Sequence, residues 1–470
     1  MGYNKIVKSR IKGMILLKLL NVSDVLALNR DSLKDKYKEY INPELAKLLG
    51  LLKLDKCFVK AQGASVWDSD GNEYLDFLGG YGATSLGHNP PEVISAVMEV
   101  LDNKTPNILQ VSMGVFASAL AENLAKITPG ELKYSFFGNS GAEAVEGALK
   151  TARAATGKTL IISTEGSFHG KTFGALSASG RDKYKKPFLP MVPDFEQVPY
   201  GDTEVLEVKF KQKDVCAFIV EPIQGEAGVI IPPEGYLKKV RELCSKYNVL
   251  LIIDEIQTGF ARTGKMFACE LEDVAPDIMT LSKSLGGSLI PVSAFVCTEK
   301  VWKKAYGSAD RCLLHTSTFG GNSIACAAGI AAINSIIAQD LPKQAEEKGQ
   351  YFMSKLLAIK EKHKIIKEIR GKGLLIGMEF NQPTGIANKL AGNITYEYLA
   401  SMVVGILQNK HRIITAYTLN NPNVIRFEPP LIVSYQQIDK VISALDNVFT
   451  ENRNIFNLAL TSAKAMFSIN

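Results

Sequence analysis

Between residues 130 and 320 short apolar runs recur at near-regular intervals: LKYSFF (132–137), TLIIS (159–163), CAFIV (216–220), VLLIID (249–254), IMTLS (278–282) and AFVCT (294–298). Runs of this length without polar alternation predict strands buried on both faces. The intervening segments, such as 142–155 and 236–247, carry apolar residues at helical spacing. Strand and helix alternating in this way predict an α/β unit with a mostly parallel sheet covered on both sides. Beyond about residue 325 the pattern changes. Segments 367–380 and 423–434 predict strands of a smaller α+β unit. Ser434 and Gln437 form a capping box for a helix that carries Ile438, Val441, Ile442 and Leu445. The expected partition is an N-terminal arm with part of the small domain (1–75), a large domain (76–325) and a C-terminal small domain (326–470). A cleft between large and small domains is a natural place for a substrate.

Composition narrows the class. The chain has 470 residues, 46% hydrophobic and 22% charged, ordinary values for a globular enzyme. A net charge of +6 is spread along the chain, and its densest basic run, Arg181 to Lys186, is short and mixed with an acid. That argues against a nucleic-acid partner. Seven scattered cysteines contain no CxxC pair, and neither they nor the five histidines show metal-ligand spacing; reduced thiols and a cytoplasmic setting are expected. Lys5, Lys8, Arg10 and Lys12 precede an apolar stretch, but Lys18 interrupts it and Asp24 and Asp31 soon follow. Leu16, Leu19, Leu20, Val22 and Leu26 instead suit an amphipathic arm docking on the body or on a second subunit. No run approaches the roughly 20 apolar residues that span a bilayer, so no membrane partner is expected.

The candidate chemistry gathers at strand ends. The run VLLIID stops at Asp254, and the run IMTLS is followed by Lys283 and glycines. Ligands of parallel sheets sit outside the carboxyl ends of the strands. A lysine and a carboxylate delivered there suit pyridoxal phosphate: the amine forms a Schiff base and the acid keeps the pyridine nitrogen protonated. Singly, each has an ordinary reading as a solvated lysine or a capping aspartate. Further pieces fit the same ligand. Ser140 and Gly141 open a helix whose N-terminus can take a phosphate, although Asn-Ser-Gly is also a common turn. Phe168, in the glycine-rich loop GSFHGKTFG (166–174), can stack on a flat ring or simply anchor the loop. Glu221 follows the strand 216–220, where capping or an ion pair is the default. Gln257 lies three residues past Asp254, and Thr318 sits among glycines in HTSTFGGN (315–322). Arg426 interrupts an apolar strand, where its planar fork either reads a carboxylate or forms a structural ion pair.

Taken together, these residues resemble the class III (subgroup II) pyridoxal-phosphate aminotransferases of fold type I. The resemblance runs from YLDFLGGYGATSLGHNPPEV (74–93) to IRFEPPLIV (425–433) and is most specific in LLIIDEIQTGFARTGKMFACE and LSKSLGG. It implies a large domain with a mostly parallel seven-stranded sheet, a smaller α+β domain, and a homodimer, alone or doubled to a tetramer, with shared active sites. Under it Lys283 holds the cofactor and shuttles a proton, while Asp254 pairs with the pyridinium. Gln257 lies near the phenolic oxygen and Phe168 stacks on the ring. Ser140 and Gly141 bind the phosphate, together with Thr318 of the neighbouring subunit. Arg426 binds the carboxylate of the amino acceptor, and Glu221 neutralises that arginine when a substrate end carries no carboxylate. The segments ITPGELKYSFFGNSG, KYKKPFLPMVP and KMFACELEDVAPDI, with the long N-terminal arm, draw the resemblance toward members acting on putrescine, with 2-oxoglutarate as acceptor. Ornithine, acetylornithine, 4-aminobutyrate and cadaverine stay open as donors, with Tyr81 and 109–115 as the deciding segments. A racemase, epimerase or aminomutase of the same fold, or a cofactor-binding protein without turnover, are the alternatives of other classes. One departure stands out: Ala142 occupies a position where the family usually has threonine.

Overall fold

A computed structural model describes residues 19–109, 111–381 and 399–452. The chain divides into two compact units, Met1–Lys60 with Trp67–Asn72, and Ala61–Val66 with Glu73–Asn470. In the first, helices Arg30–Tyr40 and Pro43–Leu51 start at Asn29 and Asn42, whose side chains accept amide hydrogen bonds as caps. Asp55 accepts ion pairs from Arg30 and Lys34 at 2.8 and 3.2 Å. Leu16 of the expected arm lies outside the described residues; Leu19, Leu20 and Leu26 are exposed.

The second unit holds a seven-stranded sheet. Its order is Leu132–Gly138, Ser293–Thr298, Ile278–Leu281, Leu250–Asp254, Val215–Val220, Leu160–Thr164 and Phe195–Val198. Ser293–Thr298 runs antiparallel to both neighbours, while the central pairs are parallel. All six expected runs are strands, each within a residue or so of its expected ends. Val215–Val220 and Ile278–Leu281 are buried at every position, as a sheet covered on both faces requires. Phe195–Val198 was not expected. It is an edge strand beside Leu160–Thr164 whose Glu196 and Gln197 are half-buried, so its sequence lacks a continuous apolar run.

A four-stranded antiparallel sheet follows, ordered Ile366–Lys372, Leu375–Phe380, Val424–Phe427 and Ala416–Tyr417. The strand expected over 423–434 is shorter than its pattern suggested. It stops at Phe427, one residue before Glu428-Pro429-Pro430, because prolines donate nothing to a ladder. The capping box at Ser434 and Gln437 is present and opens helix Tyr435–Glu451. Among the described residues no single helix is long and apolar enough to cross a membrane.

Candidate active site

Three adjacent parallel strands end at one edge of the large sheet. Val215–Val220 is followed by Glu221, Leu250–Asp254 ends in Asp254, and Lys283 follows Ile278–Leu281 by two residues. These residues, with Gly141, Phe168 and Gln257, line one cavity of about 370 Å³.

Asp254 is buried, and three contacts orient its carboxylate. Its Oδ1 accepts from the Ile256 amide (3.1 Å) and the Thr280 hydroxyl (2.9 Å), and its Oδ2 meets His169 Nδ1 at 2.8 Å. Burial pulls the basicity of His169 down, but the hydrogen bond and charge of Asp254 outweigh it and hold the imidazole above its ordinary value. His169 was not among the expected site residues. The signal was present, since it sits beside Phe168 in the glycine-rich loop, but sequence spacing could not pair it with an acid 85 positions away.

Lys283 begins the 3-10 turn Lys283–Gly286 with φ +45°. A lysine in the left-handed region is strained, and such strain concentrates at functional positions. Burial lowers its ammonium's pKa, opposed by the charges of Glu428 and Glu226. Ser140 caps helix Gly141–Thr156 by accepting from the Glu143 amide at 3.3 Å, and Glu143 Oε2 accepts from the Asn139 amide at 2.6 Å. A Cβ on Gly141 would lie 2.9 Å from Ile256 Cδ1, so glycine keeps this helix end close against the strand loop. Gly170 presses on Ala142, with a Cβ-to-Cβ distance of only 2.8 Å had it a side chain. The loop bearing Phe168 and His169 therefore packs where the usual threonine would project.

Arg426 comes from the other sheet, in register with Gly377 and Ala416. It is fully buried, and its Nη2 donates to Glu226 Oε2 at 2.7 Å. The Tyr81 ring covers the guanidinium at 4.9 Å. Tyr81 itself has φ +59° in a left-handed Gly79-Gly80-Tyr81 run. This corrects one expectation: the carboxylate facing Arg426 is Glu226, not Glu221. After Glu221 the chain turns through Pro222, and Gln224 pairs with Ile230 as an isolated bridge. That turn carries Glu226 to the arginine, where the Leu419 amide also binds it (2.9 Å). Burial pushes the Glu226 carboxyl up, but Arg426 outweighs it and holds the group below its ordinary value. Glu221 instead accepts from the Phe168 amide at 2.9 Å, and burial raises its carboxyl to about 7.

Gln257 donates to the Tyr81 carbonyl at 3.4 Å, and its Oε1 lies 1.6 Å from where a Cβ on Gly225 would stand. Thr318 is not brought to Lys283. It lines a separate hollow of about 390 Å³ with Asn107, Ser112, Met113 and Phe137.

The pattern that defines the family Aminotransferase class-III matches residues 52–449. The chain belongs to the class III aminotransferases. Aminotransferase PigE of Serratia sp. (strain ATCC 39006) is 39% identical over an alignment of 457 positions that covers 90% of this chain and 54% of that protein. The chain thus spans about half the length of that relative. The ornithine aminotransferase of Toxoplasma gondii ME49 superposes with a TM-score of 0.80 at 31% identity, covering 94% of this chain and 99% of that one. An amine transaminase from an uncultivated Pseudomonas species, solved in its PLP-bound form, gives 0.73 at 26%, covering 83% and 94%. Fold type I and pyridoxal 5'-phosphate as cofactor follow. The cavity fits that cofactor: an acid held by His169, a desolvated lysine and a helix N-terminus converge on it.

Proposed function

We propose that this class III aminotransferase moves an amino group from a terminal amine, a diamine of the putrescine type, to 2-oxoglutarate. The observation that carries this reading is the closed Arg426–Glu226 pair. With its charge already offset by Glu226, Arg426 presents no net positive charge in this state, so a donor end that enters it needs no carboxylate. When Glu226 moves aside, the same arginine suits the carboxylate of an oxo acid through its fork.

Pyridoxal phosphate supplies an electrophilic carbon and a protonated ring that accepts the electron pair left when a C–H bond breaks. The chain's residues do the rest. Lys283, with its pKa lowered by burial, is suited to take the proton from the donor carbon and to return it one position away. Asp254 keeps a proton on the pyridine nitrogen, and His169 holds Asp254 in orientation. Ser140, Gly141 and the helix N-terminus receive the phosphate. Phe168 would stack on the ring, and Gln257 would serve the phenolic oxygen. Putrescine would leave as 4-aminobutanal, which closes to 1-pyrroline.

Thr318 lines the hollow away from Lys283 together with exposed apolar side chains, including Met113 (92%), Val115 (76%) and Leu109 (57%). Apolar surface of this kind suits a face covered by a second copy, which would bring Thr318 to that copy's phosphate site. A homodimer with shared sites is therefore part of the proposal.

Similarity to an ornithine aminotransferase favours a second reading, in which the donor carries a carboxylate besides its terminal amine. The deciding assay supplies purified protein with 2-oxoglutarate and, in turn, putrescine, cadaverine, ornithine, acetylornithine and 4-aminobutyrate, measuring glutamate. The proposal expects glutamate and a trappable 1-pyrroline from putrescine. Turnover confined to carboxylated donors overturns it. Product formed without any oxo acid would instead indicate a racemase or aminomutase.

A further inference from the structure

Glu428 is a buried carboxylate to which the proposed chemistry gives no part. It is fully buried, and both of its side-chain oxygens lack a hydrogen-bond partner among the described residues. Buried acceptors are nearly always paired, so two bare oxygens on one carboxylate call for a reason. The environment is also short of partners on the cationic side. Arg426 donates from Nη2 to Glu226, while its Nε and Nη1 are buried without acceptors.

Glu428 follows Arg426 by two residues, just past the end of strand Val424–Phe427. Its charge, like that of Glu226, bears on both Arg426 and Lys283. Arg262 is the other cation nearby. A Cβ placed on Gly82 would stand 3.7 Å from Glu428 Oε2 and 3.9 Å from Arg262 Nε. Arg262 commits its Nη1 to the carbonyls of Leu374 and Pro429 and its Nη2 to the Ser85 hydroxyl. Its Nε is left buried without an acceptor. Hydrogen bonding of the Glu428 amide to the Phe77 carbonyl at 2.8 Å pins the backbone that carries the acid.

We propose that Glu428 is a specificity-determining residue, a fixed negative charge behind Arg426 that weakens the site's attraction for carboxylate-bearing donors. Glu226 can leave Arg426, because it reaches the guanidinium from a turn through a single hydrogen bond. Glu428 stays. Even with Glu226 displaced, Arg426 remains partly offset, so a donor tail bearing a carboxylate gains less and a neutral or cationic tail loses less. The inference rests on the amine-donor reading above and assigns one of its determinants.

The test compares n-butylamine with 4-aminobutyrate, donors of equal chain length whose tails differ only in the carboxylate. Native holoenzyme, Glu428→Gln and Glu428→Asp are loaded with pyridoxal phosphate, and loading and folding are checked by visible absorbance and Tm. Glu428→Gln is expected to shift the kcat/KM ratio toward 4-aminobutyrate by roughly tenfold, the scale of removing one nearby charge at a partly screened site, and to lower the KM for 2-oxoglutarate. Glu428→Asp, which keeps the charge, is expected to restore most of the native ratio. A general packing defect would lower both donors alike. A folded, loaded Glu428→Gln with the native ratio overturns the assignment. Failure of putrescine as a donor would sink the diamine reading and leave this comparison intact.

Discussion

Arg426 Nη2 and Glu226 Oε2 stand 2.7 Å apart, with the arginine fully buried and the glutamate nearly so. Breaking such a pair without replacement costs about 3–5 kcal/mol, because a bare charge is left in a poor solvent. An incoming carboxylate supplies the replacement and a neutral tail does not. Under the proposed function the pair would distinguish the two substrates of a transamination by charge, one with the lock closed and one with it open.

Glu226→Gln keeps the shape and removes the charge. The KM for 2-oxoglutarate is expected to fall, and kcat/KM for amines without a carboxylate to fall by roughly tenfold as Arg426 is left unbalanced. Glu221→Gln, by contrast, should leave the acceptor KM near its native value. Steady-state kinetics with each substrate varied separately would expose the error if the two variants behaved alike.

Lys283→Ala should lose both half-reactions together, with kcat reduced by at least roughly 10³-fold, since the amine is both the cofactor's anchor and its proton carrier. The absorbance of lysine-linked cofactor should vanish with it. Retained turnover at native absorbance would contradict the role given to this residue.

His169→Leu removes the Nδ1 contact of Asp254 and leaves the bonds from Thr280 and Ile256. An outer partner of this kind is worth about 10–100-fold in activity where it orients a functional group. The loss is expected in kcat, with donor KM little changed. A drop confined to KM would place His169 in substrate binding instead.

Glu221 gives a pH dependence with a definite sign. In the unfolded chain its carboxyl ionises near about 4.3, whereas burial, with the charge of Asp254 behind it, holds it at about 7 in the folded protein. Between those values folding takes up a proton. Stability from this group is thus fully present below the unfolded value and is lost as pH rises through the folded one. Glu221→Gln should flatten the fall of Tm between pH 5 and 8. Parallel Tm profiles for native protein and variant would refute the shift.

The sheet was legible because burial on both faces writes itself as unbroken apolar runs, and the two strand-end residues Asp254 and Lys283 could be placed from those runs alone. The edge strand Phe195–Val198 escaped, since its half-exposed Glu196 and Gln197 break the pattern. Sequence also chose the wrong glutamate for Arg426. Glu221 and Glu226 are equally acidic and five residues apart, and only the turn between them decides which one faces the arginine. His169 and Glu428 were illegible for a related reason: their partners lie far away along the chain, so their environment exists only after folding. The resemblance to putrescine-acting members rested on segments such as 183–193, which lie outside the cavity lining.

The measurement closest to the central claim is a spectrum of the loaded protein titrated with putrescine in the absence of any oxo acid. The account predicts that the visible band of lysine-linked cofactor disappears as the amino group transfers, and that 2-oxoglutarate restores it. A band that putrescine leaves unchanged, while ornithine or 4-aminobutyrate removes it, would contradict a donor without a carboxylate.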